Sequence, residues 1–192
     1  MASLEERLDK AEKMIREPSF RQNKGLGNEV GYYVFDYPAK RELEIRERII
    51  YMKTKNSKGL DGFELVVFDI YDIVIDLLEQ EGYLEQCFRF EKNKGMSQIT
   101  KSIGNLLRIN DDTSLIVQHV KERTPESAVV FLIGVGKCYP FIRSHKVLNN
   151  LHQAIDHVPV VIFYPGKYDG QELVLFSDIK DGNYYRAFRL VD

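Results

Sequence analysis

The sequence predicts an α/β protein of three layers, with a mostly parallel sheet, antiparallel C-terminal edge strands and a helical insert. Three observations carry this reading. Apolar runs of strand length alternate with segments of helical periodicity, which implies crossovers between parallel strands and helices on both faces of the sheet. The run FELVVFDI at residues 63–70 is almost continuously apolar, as expected of a strand covered on both sides. The short connection from Tyr164 to Glu172 permits a hairpin, so the sheet should end in antiparallel strands.

The elements follow in order. Ser3 and Glu6 have the spacing of a capping box, in which each side chain satisfies an otherwise orphaned backbone N–H. Leu4, Leu8, Ala11 and Ile15 then recur at helical spacing with charges on the other face, so an N-terminal helix is expected over about 3–17, ended by Pro18. A Gly-rich connection, Asn23-Lys24-Gly25-Leu26-Gly27-Asn28-Glu29, leads into a strand at residues 31–37 that Pro38 stops. A helix over about 40–55 carries Leu43, Ile45, Ile49, Ile50 and Met52, with Glu42/Arg46 and Glu44/Arg48 as i,i+4 pairs on its exposed face. A loop at 56–62 precedes the 63–70 strand, and the helix after it, at 71–81, ends at Gly82 in a favourable C′ position. Residues 83–123 read as helical, broken at 93–95 and at 110–112, with Asp112 or Thr113 capping the last helix. A third buried strand spans 128–135 and a helix capped by Ser144 bears Val147, Leu148 and Leu151. A fourth strand at 158–164 is followed by a Pro-Gly-Lys-Tyr-Asp-Gly turn and two C-terminal strands, the last aromatic and basic.

Composition bounds the function. At 192 residues the chain is read as one domain, 1–192, able to bury roughly 70% of its unfolded surface without staples. A net charge of −2 argues against a dedicated nucleic-acid binder. Cys87 and Cys138 form neither a disulfide framework nor a metal knuckle and read as buried thiols in a reducing compartment. No apolar run approaches the ~20 residues of a membrane span, and the acidic, amphipathic N-terminus is unlike a signal peptide, so a cytoplasmic location is expected.

Few residues point to chemistry. Gly134-Val135-Gly136-Lys137 follows a strand and precedes a helical region, where a phosphate loop would sit. The full pattern needs a Gly where Phe131 stands and a hydroxyl where Cys138 stands, so a structural turn is favoured and neither binding nor hydrolysis of ATP is expected. Asp36, Asp69 and Asp72 lie at or just beyond strand ends, the usual ligand edge of such sheets. Converging, they could hold magnesium; helix caps explain Asp69 or Asp72 without it. His119, His145, His152 and His157 have no ligand partner at metal spacing, and Ser144 lacks the glycines of a nucleophile elbow. On the last strand Arg186 and Arg189 interleave with Tyr184, Tyr185 and Phe188, residue types that dominate protein interfaces and also suit single-stranded nucleic acid. Alternation puts Tyr185 and Arg189 on one face and Tyr184, Arg186 and Phe188 on the other, with the Phe188 face expected to cover the core.

Several blocks together resemble the BrxB family of type 1 BREX phage-defence systems. They are the 23–29 connection leading into Tyr33-Val34-Phe35-Asp36-Tyr37-Pro38, then Val66-Val67-Phe68-Asp69-Ile70-Tyr71-Asp72, and Phe131-Leu132-Ile133-Gly134-Val135-Gly136. The more specific blocks are Phe163-Tyr164-Pro165-Gly166-Lys167-Tyr168-Asp169-Gly170 and Asn183-Tyr184-Tyr185-Arg186-Ala187-Phe188-Arg189-Leu190. The resemblance implies a small component of a bacterial system that methylates host DNA and blocks phage replication, alongside a methyltransferase, a large ATPase and PglZ. It supplies no catalytic residues, cofactor or metal. The chain is therefore expected to be a non-catalytic adaptor that binds a PglZ-like protein and other core components, with nucleic acid met only through the complex. Tyr168, Tyr184, Tyr185, Arg186 and Arg189 are its candidate interface residues; Asp36, Asp69, Asp72 and Lys137 are its candidate ligand residues. Two alternatives remain, a nucleotide-binding regulatory subunit using the 134–137 loop and a magnesium-dependent enzyme acting on DNA.

Overall fold

The computed structural model describes residues 2–22, 31–111, 113–142, 144–185 and 187–192, without the side chains of 144–146 and 181–184. The Gly-rich 23–29 connection, Asp112 and Arg186 thus lie outside the described residues. Helix α1 (Leu4–Arg16) opens with the expected capping box: the N–H of Glu6 donates to the Ser3 hydroxyl at 3.1 Å and the N–H of Ser3 to Glu6 Oε2 at 2.7 Å. Pro18 then starts a short helix α2 (Pro18–Arg21), where its missing N–H costs nothing. Strand β1 (Tyr32–Tyr37) leads through a 3₁₀ turn into α3 (Glu42–Lys55) and a short α4 (Lys58–Asp61) in what the sequence suggests is a loop. Strand β2 (Glu64–Asp69) passes directly into α5 (Ile70–Gln80). Gly82, at φ +65°, closes that helix, its N–H donating to Glu79 O and that of Tyr83 to Leu78 O.

The helical insert comprises α6 (Leu84–Lys94), α7 (Met96–Leu106) and α8 (Leu115–Glu122). The N-cap of α8 is Ser114, not Thr113. Strand β3 (Ala128–Ile133), helix α9 (Ser144–Ala154) and strand β4 (Val160–Tyr168) follow, then β5 (Glu172–Leu175), β6 (Ile179–Tyr184) and β7 (Phe188–Arg189). Strands β2-β3-β4-β1-β7 form a parallel sheet in that order.

Alternation along each strand builds the layers. Tyr32 and Val34, Val130 and Leu132, Val160 and Ile162 face α5 to α9. Phe35 and Tyr37, Val129 and Phe131, Val161 and Phe163 face α1 and α3. Leu8, Ala11 and Ile15 of α1 are buried against this second face, so the stripe read in the sequence seals the core. A Leu8→Asp variant should lose at least the ~2–3 kcal/mol of that burial and melt roughly 5–10 °C lower by scanning fluorimetry; an unchanged melting temperature would mean α1 is not part of the core.

The C-terminal region departs from expectation. Instead of turning at Pro165, β4 runs on to Tyr168, leaves the parallel sheet and pairs antiparallel with β5, which pairs antiparallel with β6. The proline removes a donor but keeps an acceptor, and Pro165 O takes the N–H of Phe176 at 2.8 Å. The last strand is not continuous over 184–189. The chain breaks after Tyr184, and β7 pairs parallel with β1, so only β5 and β6 bear out the antiparallel expectation. Among the ion pairs, Arg46–Glu42 forms at 2.8 Å as expected, whereas Arg48 reaches back to Asp9 and Glu12 of α1 and Glu44 pairs with Arg41.

Candidate functional site

Two polar clusters lie at the carboxyl ends of the parallel strands. The first is centred on Asp69, where β2 ends. Its Oδ1 caps α5 by accepting from the N–H of Tyr71 at 3.0 Å and of Asp72 at 3.4 Å. Lys137, on the loop after β3, donates from Nζ to Asp69 Oδ2 at 2.5 Å and to Asp72 Oδ1 at 3.4 Å. The ammonium also lies 5.1 Å from the Tyr71 ring centroid. Gly134 has φ +77°, and a Cβ there would stand 2.0 Å from Asp69 Oδ1. A Cβ on Gly136 would stand 2.7 Å from Pro165 Cγ. The two glycines therefore admit a carboxylate and a proline ring, where a phosphate loop would admit phosphate, and the lysine is neutralised from within. The neighbouring Cys138 thiol is pushed up to about 12, chiefly by burial and further by the Asp69 charge, so it is no nucleophile at neutral pH.

The second cluster is centred on Asp36, whose Oδ1 accepts from Arg7 Nη2 of α1 at 2.8 Å and whose Oδ2 accepts from the backbone N–H of Tyr168 at 3.0 Å. Arg7 Nη1 also donates to Asp36 O at 2.8 Å. Arg189 stands 3.6 Å from Asp36 Oδ1 and donates to Tyr168 O. One carboxylate thus ties together the first helix, β1, the extension of β4 and β7. The sequence offered no reason to single out Arg7, which sits among the many charges of an amphipathic helix.

The three aspartates do not converge. Asp36 on β1 and Asp69 on β2 are separated by β4 and β3, three inter-strand steps or roughly 14 Å across the sheet. Among the described residues no group of three or more His, Cys, Asp or Glu side chains is placed to hold a metal.

The interface candidates also divide differently from expectation. Tyr185 is 0% and Tyr168 1% exposed, while Phe188, expected inside, is 39% exposed. The alternation argument fails because Tyr185 and Phe188 do not share one strand. Tyr168 instead spends its hydroxyl on Tyr185 O at 3.1 Å and Ala187 O at 2.7 Å, holding the end of β6 and the start of β7. Arg189 remains accessible; the Tyr184 side chain and Arg186 lie outside the described residues.

Beside the Asp36 cluster is a cleft of about 880 Å³, bounded by Arg7 and Lys10 of α1, Asp36 to Pro38, Gly166 and Lys167 of β4, and Arg189. It occupies the carboxyl ends of the adjacent strands β1 and β4. The chain leaves β1 toward the α3 face and β4 toward the opposite face, where Tyr168 and Leu173 pack, which is the usual geography of a ligand site in such sheets.

The family model described as BREX protein BrxB matches residues 66–190. A BREX protein BrxB of Bacillus cereus (strain H3081.97) is 48% identical over 194 aligned positions, covering 100% of both chains. The chain belongs to the BrxB family. A second BrxB, from Escherichia coli O9:H4 (strain HS), is 33% identical over 188 positions, covering 98% of this chain and 92% of that one. No solved structure matches the chain. Membership makes this a BREX-system protein, with a role in phage defence. The blocks that carry the BrxB resemblance fall largely on the two clusters: 66–72 holds Asp69 and 131–136 runs up to Lys137, while Asp36 lies in 33–38 and its partners Tyr168 and Arg189 lie in the two C-terminal blocks. Among the described residues no helix is long and apolar enough to cross a membrane.

Proposed function

We propose that this BrxB-family chain is a non-catalytic adaptor of a cytoplasmic BREX complex, joining a PglZ-like protein to the other core components. The observation that carries the reading is helix α3, which is apolar on two sides. Ile45, Ile49 and Met52 face the core at 1–2% exposure. Leu43 and Ile50, two turns apart on the outer side, are 71% and 64% exposed, with Tyr51 beside them at 43%. Large apolar groups grouped on a surface mark association sites. The polar groups at the strand ends support the same reading, because Lys137 is engaged by Asp69 and Asp72 rather than offered to a nucleotide. The separation of Asp36 from Asp69 likewise weakens the magnesium-enzyme alternative.

The test is a Leu43→Glu/Ile50→Glu variant in the native operon. Both side chains are exposed, so the melting temperature should stay within about 2 °C of wild type. Loss of two apolar contacts worth over ~1 kcal/mol each should reduce co-purification of the PglZ-like protein tenfold or more. A folded variant that captures that protein as well as wild type would overturn the assignment of α3.

A further inference from the structure

We propose that the cleft at the carboxyl ends of β1 and β4 is a binding site for a phosphate-bearing small molecule of nucleotide size. This reaches beyond the adaptor reading and does not depend on it. The charge is the first argument. Arg7, Lys10, Lys167 and Arg189 border the cleft against Asp36 and Asp192, an excess of cations in a chain whose net charge is −2. Neither Lys10 nor Lys167 has an ion-pair partner among the described residues, so their charge is available at the rim.

The second argument is preorganisation. Asp36 holds Arg7 by a 2.8 Å contact and Arg189 lies 3.6 Å away, which sets both guanidinium groups before any ligand arrives. With the Arg7 fork engaged by Asp36, Lys10, Lys167 and the accessible Arg189 are the cations left to meet a phosphate, and a wall already fixed loses little entropy on binding. The third argument is size and place. A volume of about 880 Å³ falls within the range of cofactor and small-ligand pockets, roughly 300–1,000 Å³, and the cleft sits where open parallel sheets take their ligands. The reasons against ATP at the 134–137 loop do not bear on this cleft, which is built from other residues on other strands.

The experiment uses the full chain with ATP, AMP and inorganic pyrophosphate as probes, read by calorimetry and thermal shift. At least one probe should bind with a Kd of ~100 µM or tighter, and raise the melting temperature at about 100 times that Kd. Added salt should weaken the binding. Lys10→Glu/Lys167→Glu alters two exposed groups, so it should fold as wild type while losing roughly tenfold or more in affinity. Lys137→Ala should bind as wild type, which separates the cleft from the glycine loop. The proposal fails if none of the three probes binds wild type. It fails equally if the rim variant binds undiminished, or if binding is lost in Lys137→Ala. A hexaglutamate peptide that binds where the phosphates do not would assign the cleft to an acidic protein segment and overturn the small-molecule reading.

Discussion

An Asp36→Ala variant should lose about 3–5 kcal/mol of unfolding free energy, the cost of removing one partner from a buried, hydrogen-bonded ion pair. The size follows from what the carboxylate leaves behind. Arg7 and Asp36 are only 15% and 12% exposed at their side chains, so water replaces only part of what the orphaned guanidinium loses. The backbone N–H of Tyr168, buried where β4 leaves the parallel sheet, would also lose its acceptor. For a chain of this length the loss corresponds to a melting temperature lower by ~10 °C or more. Asp36→Asn should be milder, because it can keep an acceptor for the Tyr168 N–H while losing the charge. Arg189→Ala should cost less than ~1 kcal/mol, its side chain being 35% exposed and 3.6 Å from the carboxylate. A double-mutant cycle of Asp36→Ala with Arg7→Ala would isolate the pair; a coupling energy near zero would show that Arg7 is held by contacts other than the carboxylate, such as Asp36 O and the Phe35 ring.

Local signals carried the sequence reading a long way. Caps, prolines and glycines act within a few residues, so the Ser3–Glu6 box, the stop at Gly82 and the break at Gly95 follow from their own neighbourhoods. Periodicity likewise placed the buried face of α1. What escaped depends on pairing between distant segments. Arg7 and Asp36 are 29 residues apart, and Lys137 and Asp69 are 68 apart. Nothing near Arg7 marks it off from the other cations of its helix, and nothing near Lys137 says that a carboxylate occupies the phosphate position. The C-terminal face was misread for a different reason. Period-2 logic holds only within one unbroken strand, and residues 184–189 contain a break that turns Tyr185 inward and hands Phe188 to the edge of β1. The break is stabilised by the Tyr168 hydroxyl, a contact invisible until β4 is known to continue through Pro165.

That break gives the second large prediction, a contrast between two changes at Tyr185. The ring is fully buried, 5.3 Å from His152 between centroids and edge-on to it, within the core that also holds Tyr32 and Tyr168. Tyr185→Ala should therefore cost about 3–5 kcal/mol, the range for emptying an aromatic site in a packed core. The hydroxyl is another matter. It is buried with no hydrogen-bond partner among the described residues, and burial raises the pKa of the phenol well above its ordinary value. Removing an unsatisfied buried hydroxyl while keeping the ring should be neutral or stabilising, so Tyr185→Phe should melt at or above the wild-type temperature. The backbone contacts of Tyr185 would persist in that variant, because the Tyr185 N–H donates to Gln171 O at 2.8 Å and its carbonyl accepts from Tyr168. A surface role for Tyr185 would give the opposite pair of results: Tyr185→Ala folded with wild-type stability but failing to capture its partner. Chemical denaturation of both variants, followed by pull-down of the PglZ-like protein with whichever variant remains folded, decides between a core tyrosine and an interface tyrosine.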